Sequence, residues 1–303
     1  MNTKLVHFLT TDSLRLPGLL YEPKVKTKKI ALYLHGCGSA SIFYSEKVNI
    51  FAKHLLKKNI AFIPFNNRGA HYIKTLKQIL PDGTEKRMRF GTSYELIKDC
   101  VKDIDGAVAF LREKGYETFY IVGESTGANK IVVYDYYAKQ NPFSKYALIA
   151  GGDDTGLYYN QLGKTTFFHA LQKSKDKINE GKGTKLVPKY LSESPFSYQS
   201  LYDVLNPDGD YNIFPFYEYL NKLKLSKKTL FKEFKNINKQ CLVVYGSNDE
   251  FCYGDVPACI NALKAHRGNK GIFTFQIIRD GGHGFEGKEE ELAEKIGDWL
   301  LKS

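Results

Sequence analysis

The sequence has no long hydrophobic run and few cysteines, and each shortage excludes a class of protein. No stretch of about 18 apolar residues occurs, so no transmembrane helix is predicted. The N-terminal residues 1–23 mix polar with apolar side chains and are not typical of a secretory signal peptide. The five cysteines are scattered, with no Cys-x-x-Cys pair and no spacing typical of metal ligands. We therefore expect a cytoplasmic protein with reduced thiols and no metal site.

The positive charge of the chain is not concentrated in one segment. The 44 Lys and Arg residues exceed the 33 Asp and Glu residues, which gives a net charge of +11. The excess is 7 outside residues 152–239 and 4 inside them, where 14 lysines face 10 acidic residues. Binding to nucleic acid would favour a basic patch or stripe. We therefore expect a lysine-rich solvated surface and no nucleic-acid partner.

Six short segments rich in β-branched and aromatic residues predict buried strands. Continuous apolar runs of this kind are typical of parallel strands that are covered on both faces. The segments are residues 29–36, 60–67, 119–125, 146–152, 241–247 and 273–282. The N-terminal residues read as two further short strands around a turn.

Helical patterns separate these strands. In residues 92–115 the apolar side chains recur along one face of a 3.6-residue repeat. Thr92 and Glu95 form a predicted capping box at its start, and Gly115 ends it. Further helices are predicted at 45–58, 127–140, 256–266 and 288–302. The alternation predicts an α/β fold with a mainly parallel sheet and helices on both faces.

The alternation stops between residues 152 and 238. This stretch is too long for a plain loop, and it contains helical patterns near 157–179 and 216–235. We therefore predict an α/β core, formed by residues 1–151 and 239–303, with residues 152–238 inserted as a helical cap. The many aromatic residues of the cap fit two interpretations equally well: its own core, or a partly apolar substrate pocket.

Chemically capable residues follow four of the predicted strands. Ligands of an open parallel sheet bind outside the carboxyl ends of its strands. Ser125 follows FYIVGE, Asp249 follows CLVVYGSN and His283 follows FTFQIIRDGG. The motif HGCG, residues 35–38, follows IALYL. We therefore expect these four groups to meet at one edge of the sheet.

Ser125 lies within IVGESTGA, a G-x-S-x-G pattern at a strand-to-helix turn. Gly123 and Gly127 permit a sharp bend that exposes the serine hydroxyl, as a nucleophile requires. The backbone N–H of Thr126, at the helix N-terminus, is then placed to stabilise an oxyanion. The alternative interpretation is a serine that only caps the helix.

The order Ser, acid, His along the chain favours His283 as the base, because it lies in the last loop. Asp249 stands at the exit of the preceding strand, where a carboxylate can hold the imidazole tautomer and stabilise the imidazolium. Glu250 and Asp255 are rival acids.

The HGCG motif is expected to supply a second oxyanion donor, the backbone N–H of Cys37. We expect His35 to fix this loop by hydrogen bonding rather than to act as a base. A Cys37 nucleophile would need an activating base and a cationic neighbourhood, and the serine arrangement explains more residues.

Together these segments resemble the α/β-hydrolase superfamily, in particular esterase- and lipase-like serine hydrolases with a helical cap. The resemblance rests on LYLHGCG, PFNNRGA, IVGESTGA, VVYGSND and GGHGF. It implies a triad of Ser125, Asp249 and His283, with oxyanion donors at Cys37 and Thr126. It also implies a serine esterase that needs no cofactor and cleaves a small-molecule ester, with an aryl or acyl group if the aromatic residues line the pocket.

Three alternatives stay open beside this interpretation. They are cleavage of amides, peptides or thioesters, another enzyme class on the same fold such as a lyase or acyltransferase, and a non-catalytic binding protein. The substrate, its binding residues and the oligomeric state are not predicted. Glu124, directly before the serine, departs from the usual residue types of such turns. If it is buried it needs a partner, for which Arg68 or contact with a neighbouring strand are the candidates.

Overall fold

A computed structural model describes residues 2–302 of the protein. Its strands are β1 (Asn2–Leu9), β2 (Arg15–Glu22), β3 (Lys29–Leu34), β4 (Ala61–Phe65), β5 (Lys74–Ile79), β6 (Glu85–Phe90), β7 (Thr118–Glu124), β8 (Phe143–Ile149), β9 (Gln240–Gly246) and β10 (Phe273–Ile278). Its helices are α1 (Glu46–Lys57), α2 (Cys100–Glu113), α3 (Thr126–Tyr137), α4 (Asp154–Asn179), α5 (Tyr198–Leu205), α6 (Phe216–Leu220), α7 (Lys232–Lys235), α8 (Val256–His266) and α9 (Glu289–Leu301).

Eight of the strands described within residues 2–302 form one sheet in the order β1-β2-β4-β3-β7-β8-β9-β10. The six strands from β4 to β10 in this order run parallel, and β1 and β2 add an antiparallel hairpin at one edge. All five residues of β4 are buried, as expected for an apolar strand covered on both faces. The predicted α/β fold with a mainly parallel sheet is therefore confirmed.

The predicted helix at 92–115 is correct at its end and wrong at its start. Gly115 has a φ of 87°, which suits a glycine just past a helix. Helix α2, however, begins only at Cys100, after a short 3₁₀ turn. The Thr92 hydroxyl accepts from the Gly38 N–H at 2.9 Å, and the Glu95 carboxylate pairs with Lys130 at 2.6 Å. These tertiary partners replace the predicted capping box.

The hairpin of β5 and β6 was not predicted. Its strands, KTLKQI and EKRMRF, are largely exposed and rich in lysine and arginine. They form a separate two-stranded sheet, with one isolated bridge from Gln78 of β5 to Leu14. They therefore lack the buried apolar run by which the other strands are recognised.

Helices α4 to α7 occupy the segment between β8 and β9. The pattern near 157–179 lies within α4, whose backbone is interrupted at Gly163 with a φ of 72°. The pattern at 216–235 becomes two short helices, α6 and α7. Part of the aromatic content forms an internal core, since Phe167, Phe214 and Phe216 are fully buried. Among the described helices none combines the length and apolarity needed to cross a membrane.

Candidate active site

Ser125 occupies a strained turn between β7 and α3. Its φ of 55° and ψ of −129° fall in a region that side chains other than glycine rarely adopt. The Ser125 N–H donates to the Ile149 carbonyl of β8 at 2.8 Å, which anchors the turn to the sheet. Its hydroxyl makes no hydrogen bond that caps α3. The geometry therefore does not support the interpretation of Ser125 as a capping serine.

The two glycines of the turn are required by close backbone contacts. A Cβ atom on Gly123 would lie 2.3 Å from the Gly127 carbonyl oxygen. A Cβ atom on Gly127 would lie 2.2 Å from the Leu34 carbonyl oxygen at the end of β3. The G-x-S-x-G spacing therefore lets α3 begin directly against the sheet and leaves the serine at its carboxyl edge.

His283 and Asp249 are paired, as the sequence predicts. The imidazole Nδ1 lies 3.0 Å and 3.2 Å from the two Asp249 carboxylate oxygens, and Asp249 is only 2% exposed. Burial by itself would lower the pKa of His283, but the hydrogen bond and the charge of Asp249 outweigh it and raise the pKa above the ordinary value. A neutral imidazole in this setting carries its proton on Nδ1 and keeps a lone pair on Nε2.

The two rival acids have other partners. The Glu250 carboxylate accepts from the backbone N–H of His283 at 3.0 Å, so it supports the loop rather than the ring. The Asp255 carboxylate accepts from the Ala258 N–H at the start of α8. Of the three candidate acids, Asp249 is the one whose side chain contacts the imidazole.

Ser125, His283 and Cys37 line one cavity of about 230 Å³. Its opposite wall is one face of α4, which contributes Asp154, Leu157, Tyr158 and Gln161. Tyr158 is one of the cap aromatics for which the sequence left a pocket role open, whereas Asp154, Leu157 and Gln161 were missed at the sequence level. Leu157, Tyr158 and Gln161 follow Asp154 by three, four and seven residues, so the four side chains lie on one face of the helix. The helix follows β8, so the rule that ligands bind outside the carboxyl ends of strands could have identified this face.

The HGCG loop approaches Ser125 closely. A Cβ atom on Gly36 would lie 3.1 Å from the Ser125 Cβ. Thr126 is the first residue of α3, and the first N–H groups of a helix have no partner within it. Cys37 and Thr126, the predicted oxyanion donors, thus flank the serine on two sides.

The shifted pKa values of Cys37 and His35, the other two titratable groups of the HGCG loop, argue against catalytic roles for these side chains. Desolvation raises the pKa of the Cys37 thiol to about 11, with a further contribution from the Asp154 carboxylate. Burial, followed by the charge of Lys130, lowers the pKa of His35 to about 3. The neutral His35 ring lies with Nδ1 2.7 Å from the Gly36 carbonyl oxygen, as expected of a residue that fixes the loop.

The prediction that Arg68 pairs with Glu124 is wrong. Arg68 is buried and pairs instead with Asp103 at 2.7 Å and with Asp12 at 2.9 Å. Glu124 accepts a hydrogen bond from the Tyr33 hydroxyl at 2.6 Å, so the alternative, contact with the neighbouring strand β3, is confirmed.

The cation that pairs with Glu124 is Lys47 of α1. The Lys47 ammonium also donates to the carbonyl of Gly284, the residue after His283. Both side chains of this pair are 13% exposed. Lys47 therefore joins the strand end that precedes Ser125 to the loop that holds His283, a link between α1 and two distant segments that no local pattern reveals.

Three solved structures resemble the chain over nearly its full length. Est1E from Butyrivibrio proteoclasticus, solved with bound ferulic acid, is 12% identical with a TM-score of 0.64, over 98% of each chain. The α/β hydrolase GrgF from Penicillium sp. sh18 is 15% identical with a TM-score of 0.65, over 99% of this chain and 98% of that one. XC6422 from Xanthomonas campestris, described as an α/β serine hydrolase without a lid, is 13% identical with a TM-score of 0.56, over 100% and 97%.

Comparison of the sequence with family models identifies the family of the chain. Among curated proteins, none matches the chain significantly. The family described as protein of unknown function, DUF1749, matches residues 88–297, which is more than half of the chain. The matched region includes Ser125, Asp249 and His283. The protein therefore belongs to the DUF1749 family and has the α/β-hydrolase fold.

Proposed function

We propose that the protein is a serine hydrolase that cleaves carboxylic esters through Ser125, His283 and Asp249. One observation carries the proposal. A strained serine whose hydroxyl does not cap its helix shares a cavity with a histidine whose Nδ1 is held by a buried aspartate. A strained backbone maintained by its surroundings is frequent at active sites, and a serine in the same cavity as a histidine–aspartate pair supports nucleophilic catalysis by these three residues.

The reaction proceeds in two halves. His283 Nε2 takes the proton of the Ser125 hydroxyl as the oxygen attacks the ester carbonyl. The backbone N–H groups of Cys37 and Thr126 bind the resulting oxyanion, each contributing about 3 kcal/mol of transition-state stabilisation. The intermediate collapses, and His283 returns the proton to the departing alcohol. Water, deprotonated by the same histidine, then cleaves the acyl-enzyme to release the acid and restore Ser125.

Residues 152–238 are proposed to act as a cap, with α4 facing the substrate. Leu157, Tyr158 and Phe251 give the cavity apolar and aromatic walls. We therefore propose a small-molecule ester with an aryl or acyl group as substrate. Separately, the scattered cysteines support the proposal that the protein is cytoplasmic. Est1E, which has a similar fold, was solved with ferulic acid, an aromatic acid, and this supports testing aryl esters first.

Labelling with a fluorophosphonate tests the nucleophile directly. The folded protein is expected to be modified at Ser125, located by peptide mass spectrometry, and to hydrolyse nitrophenyl esters. Ser125→Ala is the matched control. A folded sample that is not labelled, or is labelled elsewhere, would remove the basis of the proposal.

A further inference from the structure

Two adjacent aspartates follow β8, and their surroundings differ. The Asp153 carboxylate is fully used by the fold. It accepts from the Gly156 N–H at 2.9 Å, the Tyr217 N–H at 2.6 Å and the Tyr253 hydroxyl at 3.0 Å. Asp153 therefore caps α4 and ties it to α6, and its role is structural.

The Asp154 carboxylate, in contrast, faces the cavity beside Ser125 and His283 and is almost without partners. Its one hydrogen bond within residues 2–302 comes from the Asn129 side-chain amide at 3.4 Å. That amide is better placed on the Gly152 carbonyl, at 2.8 Å. A carboxylate has several acceptor positions, and those of Asp154 lie where a molecule in the cavity can reach them. The position of Asp154 therefore suits a ligand that donates hydrogen bonds.

The rest of the cavity favours a positively charged donor. Among its lining residues no lysine or arginine competes for Asp154, and in the described chain none forms an ion pair with it. The rings of Phe251 and Tyr158 line the same space. Aromatic faces attract ammonium groups, and a carboxylate in a partly desolvated site adds a charge-assisted hydrogen bond. A carboxylate at this position also repels anionic substrates.

Burial raises the pKa of Asp154 to about 6, against the opposing charges of His283 and Lys130. A bound cation stabilises the ionised Asp154 carboxylate more strongly than a neutral hydroxyl group does, because the two charges attract.

We propose that Asp154 selects esters that carry a protonated amine. The inference rests on the proposed ester hydrolysis and adds a substrate class to it. The ammonium N–H donates to the Asp154 carboxylate, and the aromatic rings surround its alkyl groups. Ser125 attacks the ester carbonyl of the same molecule, so Asp154 acts by binding and orienting the substrate and not in the proton transfers.

The test compares pairs of esters that differ in charge and hardly in shape. For the alcohol side, 2-(dimethylamino)ethyl acetate is paired with 3-methylbutyl acetate. For the acyl side, the nitrophenyl ester of N,N-dimethylglycine is paired with that of 3-methylbutanoic acid. The measured quantity is the ratio of kcat/KM for the charged and neutral members of each pair, after subtraction of spontaneous hydrolysis.

Substituting Asp154→Asn removes the charge and keeps the shape. We expect this ratio to fall about 10-fold in at least one pair, the size of a partly desolvated charge interaction. Comparing ratios between proteins cancels the greater intrinsic reactivity of the charged ester. Asp176→Asn is the matched control, because Asp176 is an exposed aspartate of the same helix that lies outside the cavity lining, and this variant should keep the wild-type ratio. An equal ratio in wild type and Asp154→Asn for both pairs would overturn the inference.

A second measurement does not depend on a folded variant. Pentylammonium and pentanoate are compared as competitive inhibitors of neutral-ester turnover by the wild-type protein. Stronger inhibition by pentylammonium supports the inference, and equal or stronger inhibition by pentanoate contradicts it. Wild-type protein that shows no turnover and no fluorophosphonate labelling would instead overturn the proposed function, and the inference with it.

Discussion

The two walls of the cavity are built in different ways. The core wall consists of strand ends and loops that hydrogen bonds hold in place: the Ser125 N–H to β8, the Asp249 carboxylate to the His283 ring, and the Lys47 ammonium to the loop after that histidine. The α4 wall is one face of a helix that is interrupted at Gly163, with open space around that glycine. The core wall is suited to chemistry that needs fixed distances, and the α4 wall to recognition that varies with its side chains.

Replacing the nucleophile of the core wall should cause the largest loss of activity. Ser125→Ala should reduce kcat/KM for nitrophenyl acetate by about 1,000,000-fold, because the attacking oxygen is lost. Thermal melting should stay nearly unchanged, because the hydroxyl does not cap α3. Retained turnover in Ser125→Ala would place the chemistry elsewhere.

Replacing the buried acid should have the next largest effect. Asp249→Asn is expected to lower kcat by about 10,000-fold, because the amide favours the wrong imidazole tautomer. Glu250→Gln is the matched control and should change kcat little, because Glu250 contacts only the backbone N–H of His283. The opposite result would move the acid to Glu250.

The dependence of activity on pH tests the electrostatic environment of His283 in the core wall. His283 must be neutral to accept a proton, and its pKa is raised, so activity should be lost as pH falls through a midpoint above 6.5. After Asp249, the Glu124 carboxylate contributes to this rise and Glu250 adds to it, whereas Lys47 reaches the same loop with the opposite charge. Asp154 also faces the histidine across the cavity.

Glu124→Gln should therefore move the acid limb of the profile to lower pH and reduce kcat more than it raises KM. Removing both charges, with Lys47→Met and Glu124→Gln together, should bring the midpoint back towards the wild-type value. The midpoint is measured from labelling rates and from the His283 imidazole resonances in NMR spectra. Glu117→Gln is a surface control, since Glu117 pairs with Lys28 far along the sheet. An unchanged midpoint in Glu124→Gln would restrict Glu124 to a structural role.

The α4 wall should respond with selectivity instead of a loss of chemistry. Leu157→Phe fills part of the cavity, so kcat/KM for long acyl esters should fall about 10-fold relative to that for acetate. The labelling rate with a small fluorophosphonate serves as the reference for the chemistry. A uniform loss over all acyl lengths would contradict the division of roles between the two walls.

Much of the core wall could be predicted from sequence because its signals are local. Gly123, Ser125 and Gly127 lie within five residues, and their conformational requirements appear directly in the pattern. Asp249 and His283 each follow an apolar strand, and parallel strands bring their carboxyl ends to one edge. The partner of Glu124 could not be predicted in the same way, because Lys47 lies 77 residues away in α1.

By itself the sequence determined the α/β class, the parallel strands and the residues that meet at their ends, because apolar periodicity and glycine spacing act over short distances. Only the tertiary structure decided where the polar side chains find partners. Thr92 and Glu95, predicted to form a helix cap, instead contact other segments. The adjacent Asp153 and Asp154 have different surroundings, one within the fold and the other at the cavity. The physical reason is that a buried polar group is satisfied by whatever the fold places next to it, and that neighbour is rarely close in sequence.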